Sequence, residues 1–204
     1  MHRLFILRHA KAATHPRTAS GGDPARPLAA RGRAVLPRVA RNIADHLEGH
    51  PLDLVLCSPS ARTRETVDVV AQSEPAVAAA RLKLVDLLYL ADAARLLKTL
   101  RKVHDDKSTV LVCGHNPGLH QLALILLGDD GSDDTAEHAP PSSVPLSSVP
   151  LSSVPLSSVP PRLRYDLPTA GLVVVDLDGS WTSLGTGPGI RGTTLRAFVV
   201  PTDE

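Results

Sequence analysis

Residues Leu4 to Ala10, Leu-Phe-Ile-Leu-Arg-His-Ala, place a cation and an imidazole directly after four apolar residues. The apolar run predicts a short strand buried on both faces, as in parallel sheets. In an open α/β sheet, ligands bind outside the carboxyl ends of the strands. We therefore expect Arg8 and His9 at a ligand-binding edge, although a strand that simply reaches solvent also fits this stretch taken alone.

A second apolar run ends in the same manner. Leu52 to Cys57, Leu-Asp-Leu-Val-Leu-Cys, predicts a strand, and Ser58-Pro59 follows it. A hydroxyl residue followed by proline is typical of a helix start, with Ser58 as the N-cap and Pro59 as the first helical residue. Arg62 is then expected in the first turn of that helix.

A third apolar run, Thr109 to Cys113, also predicts a strand, and the segment Gly-His-Asn-Pro-Gly follows it. Asn116 is a candidate helix cap, and Pro117 is suited to open a helix that stops at Gly128. His115 therefore occupies the same position relative to its strand as His9 does to the first.

The intervening segments complete a strand and helix alternation. Apolar residues recur every four positions over residues 29–48, which predicts a helix with a kink at Pro37. The segment from Leu82 to Leu90 is ambiguous between strand and loop. Asp92 is a candidate cap for a further helix, which continues to residue 103.

Late in the chain, the pattern changes to consecutive strands. Leu172 to Leu177 predicts a strand, Asp178-Gly179 a hairpin turn, and Trp181 to Leu184 the returning strand; Ala197 to Val200 is a last short strand. The fold class predicted for the whole chain is a three-layer α/β/α sandwich with a mostly parallel central sheet and a late antiparallel hairpin.

The composition excludes several classes of protein. The chain has 204 residues, with 22 Lys and Arg against 21 Asp and Glu, and a net charge of +1. This balance gives no electrostatic argument for binding nucleic acid or an anionic membrane, so any attraction for an anion is local. The first apolar run is too short for a signal peptide, and no run approaches the roughly 18 residues of a membrane span. We expect a soluble, cytoplasmic protein.

Cys57 and Cys113 are the two cysteines, and neither has the spacing of a zinc ligand. Both lie at the ends of apolar runs, so we expect small buried thiols, with a redox switch as the minor alternative. With no cysteine cross-links expected, the setting is a reducing one.

A low-complexity segment interrupts the predicted domain. Residues 129–141 are acidic and polar, and residues 142–160 repeat Ser-Ser-Val-Pro-Leu. A proline at every fifth position forbids a helix and blocks a central strand. We predict one domain over residues 1–204 with an extended or disordered insertion at about 129–161, which is either a tolerated expansion or a docking site for a proline-reading partner.

If the three strands are parallel, their carboxyl ends bring together two arginines and two histidines. Two guanidiniums form a bidentate cradle for a phosphoryl group, and helix amino ends add N–H donors. Nearby arginines lower the pKa of a histidine and keep it a neutral nucleophile near pH 7. His9 could then attack phosphorus, while Arg8, Arg62 and His115 hold the phosphoryl oxygens, with no metal or other cofactor required.

Four motifs in this order resemble the histidine phosphatase superfamily, and in particular its small SixA-type phosphohistidine phosphatases. They are Leu-Arg-His-Ala at 7–10, Arg-Pro-Leu-Ala-Ala-Arg-Gly at 26–32, Ser-Pro-Ser-Ala-Arg-Thr-Arg-Glu-Thr at 58–66 and Gly-His-Asn-Pro at 114–117. The later Leu-Pro-Thr-Ala-Gly-Leu and Gly-Ser-Trp segments resemble the same group, and only residues 129–161 lie outside the likeness. The resemblance implies a phosphoglycerate mutase-like fold.

The resemblance also implies roles for single residues. His9 would be the phosphorylated nucleophile, and Arg8, Arg62 and His115 would complete the phosphate pocket. Larger members of the superfamily carry a glutamate general acid in a segment that corresponds to residues 84–86, where this chain has no glutamate. Asp86 is the candidate acid, and Asp23 is the other carboxylate considered. For each of them, a solvated or capping carboxylate is an equally good interpretation.

The missing glutamate bears on the substrate. An alkoxide leaving group needs a proton from a positioned acid, whereas the nitrogen of a phosphohistidine leaves readily once solvent protonates it. We therefore expect a phosphorylated protein carrying phosphohistidine as the partner. Small phosphate esters or nucleotides, a phosphate-binding module without turnover, and a scaffold built on the repeat remain alternatives. A metal hydrolase fits less well, because two adjacent arginines repel a dication.

Three further residues, Arg26, Arg31 and Asn116, are candidates for the border of the pocket.

Overall fold

A computed structural model describes residues 1–14, 22–128, 159–185 and 193–201 of the chain. Within these ranges the elements, in chain order, are β1 His2–Arg8, α1 Ala30–Ala34, α2 Leu36–Leu47, β2 Leu54–Cys57, α3 Ala61–Ser73, α4 Pro75–Ala79, β3 Arg81–Leu84, α5 Ala93–Leu100, β4 Thr109–Gly114, α6 Gly118–Leu126, α7 Pro161–Tyr165, β5 Leu172–Leu177 and β6 Thr193–Val199. Short 3₁₀ turns occupy Asp23–Ala25, Asp86–Leu88 and Trp181–Ser183.

The six strands form one sheet in the order β3-β2-β4-β1-β5-β6. The first four strands of this order are parallel to one another. β5 runs antiparallel to β1, and β6 runs antiparallel to β5. The predicted mostly parallel sheet with late antiparallel strands is confirmed.

Helices cover both faces of the sheet, as the apolar character of its central strands requires. Along β1, Leu4 and Ile6 face one cluster of buried residues, which includes the apolar side chains of α5 and α6. Phe5 and Leu7 face the other cluster, which includes those of α2 and α3. The alternation along one buried strand therefore supplies both halves of a three-layer α/β/α core.

The register of the parallel strands aligns their carboxyl ends. Arg8 at the end of β1 is paired with Gly114 at the end of β4. Cys57 at the end of β2 is paired with Cys113 of β4, and both cysteines are buried and free, as expected. The segments that follow these three strands thus begin at one edge of the sheet.

The predicted tight hairpin after β5 is wrong. Residues Trp181–Ser183 form a 3₁₀ turn, and the antiparallel partner of β5 is β6. The Trp181 side chain is fully buried, and its Nε1 donates a hydrogen bond to the Lys107 carbonyl at 2.7 Å. Because this aromatic residue packs into the core, it is not available for pairing along the sheet.

Two predicted helix starts are displaced. α3 begins at Ala61 with Ser60 as its N-cap, rather than at Ser58-Pro59. α6 begins at Gly118 with Pro117 as its N-cap, and Asn116 instead uses its side chain to bond a distant backbone carbonyl. In both cases the polar residue bonds a distant group instead of capping the helix, since Ser58 contacts the His115 ring and Asn116 the Leu167 carbonyl.

The other predicted helices are present, although α5 ends at Leu100 rather than at residue 103. The segment 29–48 is divided at Val35 into α1 and α2, with Pro37 in the first turn of α2. The Asp92 side chain accepts a hydrogen bond from the Arg95 N–H at 2.7 Å and caps α5. The ambiguous segment 82–90 contains most of the exposed edge strand β3 and a 3₁₀ turn.

Most of the predicted insertion, residues 129–158, lies outside the described residues. Its last three residues belong to the fold, because Val159 is buried in the core, Pro160 is the N-cap of α7 and Pro161 begins that helix. Among the described residues, no helix combines the length and hydropathy that crossing a membrane requires.

Candidate active site

A cavity of about 500 Å³ lies at the carboxyl ends of the parallel strands and is open to solvent. It is lined by Arg8, His9, Lys11, Ala12, Asp23, Arg26, Arg62, Leu90, His115, Asn116 and Thr169. All four residues for which the sequence predicted a phosphate site are therefore at one cavity. Its volume is in the range of about 300–1,000 Å³ that is usual for small-molecule and cofactor sites.

His9 follows β1 directly and is held by backbone contacts on both sides. Its N–H donates to the Gly114 carbonyl at 3.1 Å, which ties it to β4. Its ring Nδ1 lies 2.8 Å from the Ala10 carbonyl oxygen. Because a carbonyl only accepts, Nδ1 carries the proton, and Nε2 of the neutral ring holds the lone pair.

Burial is the largest cause that lowers the pKa of His9 to about 4; the Ala10 carbonyl opposes the shift, and the positive charges of Arg62 and Arg8 contribute to it. The imidazole is only 8% exposed. Desolvation and neighbouring cations both disfavour a second positive charge at this place. His9 is therefore neutral at pH 7.

His115 has the opposite tautomer. Its Nδ1 lies 3.4 Å from Nη2 of Arg62, which can only donate, so Nδ1 accepts. Its Nε2 then carries the proton and donates to the Ser58 hydroxyl at 2.9 Å. Burial lowers the pKa of His115 to about 3, assisted by His9 and Arg62. The two imidazole centroids are 5.2 Å apart.

Arg62 lies in the first turn of α3 and is 2% exposed. Its Nη1 donates to the backbone oxygen of Asp23 at 2.8 Å, and its Nη2 to the Asp23 carboxylate at 2.9 Å. The Tyr89 hydroxyl donates to the same carboxylate at 2.7 Å. This hydrogen bond and the charge of Arg62 lower the pKa of Asp23, so the carboxylate is ionised at neutral pH.

Arg8 is positioned by the segment between α7 and β5. Its Nη1 donates to the Leu167 carbonyl at 2.6 Å and lies 3.4 Å from Asp166. The Nε atoms of Arg8, Arg26 and Arg62 are all buried without a hydrogen-bond partner among the described residues. Buried donors without a partner are uncommon in folded proteins. The three arginines also line the cavity, and their positive charge suits an anionic ligand.

Asp86, the carboxylate predicted as a candidate general acid, does not line this cavity. It begins the 3₁₀ turn after β3 and is exposed. Asp23 is the one carboxylate among the described lining residues. The candidate acid was misplaced because the turn that follows β3 directs Tyr89, and not Asp86, towards Arg62 and Asp23.

Of the three border candidates, Arg26 and Asn116 line the cavity and Arg31 lines a neighbouring one. Ser58 and Tyr89 are contacts of His115 that the sequence pattern did not assign to the site. Ser58 could have been found from its position directly after a strand end, which it shares with His9 and His115. No comparable pattern marks Tyr89.

The cavity is thus suited to a small tetrahedral anion next to an uncharged imidazole. The guanidinium groups of Arg8, Arg26 and Arg62 supply positive charge, and the neutral state of His9 leaves a nucleophilic nitrogen available. Within the described ranges, no group of three or more His, Cys, Asp or Glu residues is arranged to hold a metal ion.

Comparison with known sequences finds a match of residues 4–87 to the histidine phosphatase superfamily (branch 1). This range contains most of β1, together with His9, Asp23 and Arg62. An uncharacterised protein of Mycobacterium tuberculosis, Rv1276c, is 29% identical over 192 residues, which cover 89% of this chain and 93% of that protein. An uncharacterised protein of Mycobacterium leprae, ML1117, is 26% identical over 150 residues, covering 74% and 72% of the two chains.

Comparison with solved structures finds the same fold in SixA proteins. That of Agrobacterium tumefaciens has a TM-score of 0.69 at 23% identity and covers 98% of both chains. That of Nakamurella multipartitia has a TM-score of 0.67 at 24% identity and covers 99% of this chain and 97% of the other. A protein histidine phosphatase SixA in complex with tungstate has a TM-score of 0.61 at 20% identity, with 98% and 97% coverage.

The sequence match includes the strand and helix that carry His9 and Arg62, and the shared fold extends over almost the whole chain. Residues 4–87 are therefore similar to the histidine phosphatase superfamily (branch 1), and the chain has the fold of the SixA structures.

Proposed function

We propose that the protein is a phosphatase in which His9 is the nucleophile, and that its favoured substrate is phosphohistidine on a protein. The observation that carries this proposal is the neutral, buried His9 beside three guanidinium groups whose Nε atoms have no partner among the described residues. A phosphoryl group held in the cavity by these guanidiniums would have its phosphorus beside the imidazole.

The reaction has two steps. In the first, the Nε2 lone pair of His9 attacks phosphorus, an N–P bond forms, and the bond from phosphorus to the leaving imidazole breaks. The leaving nitrogen takes its proton from solvent. In the second step, water attacks phosphorus, the His9 N–P bond breaks, and inorganic phosphate and neutral His9 result. Arg8 and Arg62 stabilise the charge on the phosphoryl oxygens in both steps.

The state of Asp23 supports a nitrogen leaving group. An ionised carboxylate that accepts hydrogen bonds from Tyr89 and Arg62 has no proton to donate at neutral pH. An alkoxide leaving group would need a proton from a positioned acid, whereas a phosphoramidate nitrogen takes its proton from solvent. The cavity is also open, and Leu90 at its edge is 56% exposed, which suits contact with a protein surface.

A phosphatase for small phosphate esters or nucleotides is the second candidate. The volume of the cavity favours it, since about 500 Å³ accommodates a small metabolite. Turnover rates of sugar phosphates and nucleotides, compared with that of a phosphohistidine protein, distinguish the two candidates. p-Nitrophenyl phosphate does not, because its leaving group needs no acid.

A single-turnover assay tests the proposal. A protein carrying radiolabelled phosphohistidine is mixed with excess enzyme, the reaction is quenched in alkali, and the label is followed by electrophoresis. We expect transient label on the enzyme, at His9 by peptide mapping, followed by inorganic phosphate.

The controls are His9→Ala and, as a matched histidine substitution, His50→Ala at an exposed position. Only His9→Ala should abolish labelling while the chain still binds phosphate. If the parent protein binds phosphate but releases none from any tested substrate, a binding module without turnover replaces the proposal. If only small phosphate esters label His9, the covalent mechanism stands, and the proposal that the substrate is a phosphohistidine protein is wrong.

A further inference from the structure

A second cavity adjoins the proposed phosphate cavity and shares two lining residues with it, Lys11 and Thr169. Its volume is about 240 Å³. Arg31 of α1 and Arg162 of α7 line the second cavity but not the first. The two cavities therefore adjoin at Lys11 and Thr169, and two cations line only the second.

The second cavity is rich in positive charge. Its lining contains Lys11, Arg31 and Arg162 and, among the described residues, no carboxylate. None of these three cations forms an ion pair with a carboxylate in the described part of the chain. In the first cavity, by contrast, Asp23 neutralises part of the charge of Arg62. A cluster of like charges is favourable when an anion occupies it.

The fold holds these cations together through close backbone contacts. A Cβ at Gly32 would lie 2.3 Å from the Lys11 carbonyl oxygen, so only glycine lets α1 approach the segment after His9 this closely. The same carbonyl accepts a hydrogen bond from the Ala29 N–H at 2.9 Å. These contacts place Arg31 beside Lys11.

The wall of the second cavity that contains Ala170 is hydrogen-bonded to the end of β1. The Ala170 N–H lies 3.2 Å from the Arg8 carbonyl and 3.1 Å from the His9 carbonyl. Ala170 lines the second cavity, and its neighbour Thr169 lines both. These backbone contacts at His9, the proposed nucleophile, fix the position of the second cavity relative to the first.

The size of the second cavity suits one group rather than a whole ligand, since small-molecule sites usually occupy about 300–1,000 Å³. Resting on the function proposed above, we propose that this second cavity binds a second anionic group carried by the same substrate whose phosphoryl group lies at His9. That group is either a carboxylate, such as an acidic side chain near a phosphohistidine, or a second phosphate. The shared chemistry is an anion recognised by Lys11, Arg31 and Arg162.

Binding of phosphonates tests this subsite without requiring turnover. By isothermal titration calorimetry, the protein is titrated with an alkyl monophosphonate, with ω-carboxyalkyl phosphonates and with α,ω-bisphosphonates of increasing chain length. At one chain length, we expect the second anion to tighten binding at least tenfold over the monophosphonate. A gain in the carboxylate series identifies an acidic side chain as the source, and a gain limited to bisphosphonates identifies a second phosphate.

This result is separable from the function proposed above. If no label reaches His9 in the single-turnover assay but the second anion still tightens phosphonate binding, the phosphatase proposal fails and the subsite stands. If label reaches His9 and no second anion tightens binding, the subsite proposal fails alone.

The double variant Arg31→Gln with Arg162→Gln tests whether the gain in phosphonate affinity arises in the second cavity. Both side chains are exposed, so the fold is expected to tolerate the change, and retained monophosphonate binding reports that it does. The double variant should lose the tenfold gain, and each single variant part of it. Arg41→Gln removes the same charge from an exposed position of α2 outside both cavities and should retain the gain. No gain at any chain length, or a gain that survives in the double variant, overturns the proposal.

Discussion

His9 and His115 carry their protons on different ring nitrogens, and the neighbours of each ring decide which one. The Ala10 carbonyl holds the proton of His9 on Nδ1. The Arg62 donor makes Nδ1 of His115 an acceptor, so its proton is on Nε2 and is donated to the Ser58 hydroxyl. A neutral imidazole has one donor and one acceptor, so its neighbours select which nitrogen reacts. At the scale of single residues, the site therefore depends on hydrogen-bond acceptors as much as on its cations.

Ser58→Ala removes the acceptor of the His115 Nε2 proton. We expect kcat to fall about tenfold, because a misoriented imidazole no longer stabilises the transition state. In the variant, the ¹⁵N signal of His115 Nε2 should shift, because its N–H loses its acceptor while Arg62 still donates to Nδ1. Ser60→Ala is the matched control, because its buried hydroxyl bonds Thr63 and does not line the cavity. A loss of kcat without a change in the His115 signals would contradict a positioning role for Ser58.

Asp23→Asn distinguishes a general acid from an electrostatic neighbour. A general acid contributes about 10²–10⁴-fold to rate, so its loss would be severe. Since the lowered pKa keeps Asp23 ionised, we expect turnover of a phosphohistidine protein to remain within about threefold. Inorganic phosphate should bind about fivefold more tightly, because a negative charge beside Arg62 is removed. Asp86→Asn, at an exposed position outside the cavity, should change neither quantity.

The low pKa of His9 predicts a pH-dependent stability. With a pKa of about 4 folded and about 6.5 unfolded, the unfolded chain binds the extra proton in this interval. The free energy of unfolding should therefore be highest above pH 6.5 and fall as the pH drops towards 4. Between pH 7.5 and 4.5, His9 should account for a loss of about 2 kcal/mol.

Urea denaturation of the parent protein and of His9→Asn at several pH values measures this contribution as the difference between the two curves. His50→Ala at an exposed position is the control, and its curve should parallel that of the parent. Parallel curves for the parent and His9→Asn would show that His9 titrates normally in the folded state.

At the scale of secondary-structure elements, the sequence predicted the strands better than the segments that connect them. Buried strands such as β1 and β4 are recognisable as apolar runs, and the residues that follow those runs include His9 and His115. A polar residue at such an end is harder to assign, because a serine caps a helix or bonds a side chain depending on tertiary geometry. For this reason Ser58 was mistaken for a cap, although it bonds His115.

The failed prediction of a strand at Trp181–Leu184 has a different physical origin. A short segment after a turn resembles a hairpin strand when only local pattern is considered. The decisive contact is the Trp181 indole on the Lys107 carbonyl, across 74 residues of sequence. Long-range packing of this kind also brings Tyr89 to Asp23, and local pattern contains no information on it.

The close approach of α6 to the turn before α5 makes Gly118 essential. A Cβ at this position would lie 1.8 Å from the Ala91 carbonyl oxygen, and the next residue back, Leu90, lines the cavity. Alanine is favoured over glycine within helices by about 1 kcal/mol, but the overlap with backbone cannot be relieved by rotating a side chain. We expect Gly118→Ala to be destabilising by about 1–3 kcal/mol, measured by urea denaturation.

Gln121→Ala, on the exposed side of the same helix, is the control and should change stability by no more than about 0.5 kcal/mol. Phosphonate affinity should fall in Gly118→Ala, because α6 begins three residues after His115. If Gly118→Ala proved as stable as Gln121→Ala, the contact with Ala91 would not be tight in solution.

At the scale of the whole molecule, the core is complete on both sides of the low-complexity segment. Leu127, just before it, and Val159, just after it, belong to the same buried cluster, together with Leu163 of α7. The described residues that line the cavity include its arginines and both histidines. The Ser-Ser-Val-Pro-Leu repeat is therefore predicted to be an insertion that neither the core nor the proposed site requires.

Replacement of residues 131–156 by a Gly/Ser linker of about ten residues tests this prediction. Because the closure entropy of a loop changes slowly with its length, we expect the free energy of unfolding to change by less than about 1 kcal/mol. kcat/KM for the substrate identified by the single-turnover assay should remain within about twofold, since Arg8, His9, Arg62 and His115 are all retained. A shuffled repeat of native length serves as the control for composition. If shortening impairs turnover of a phosphoprotein but not of a small phosphate ester, and the shuffled repeat does the same, the repeat takes part in recognising the protein partner rather than merely connecting α6 to α7.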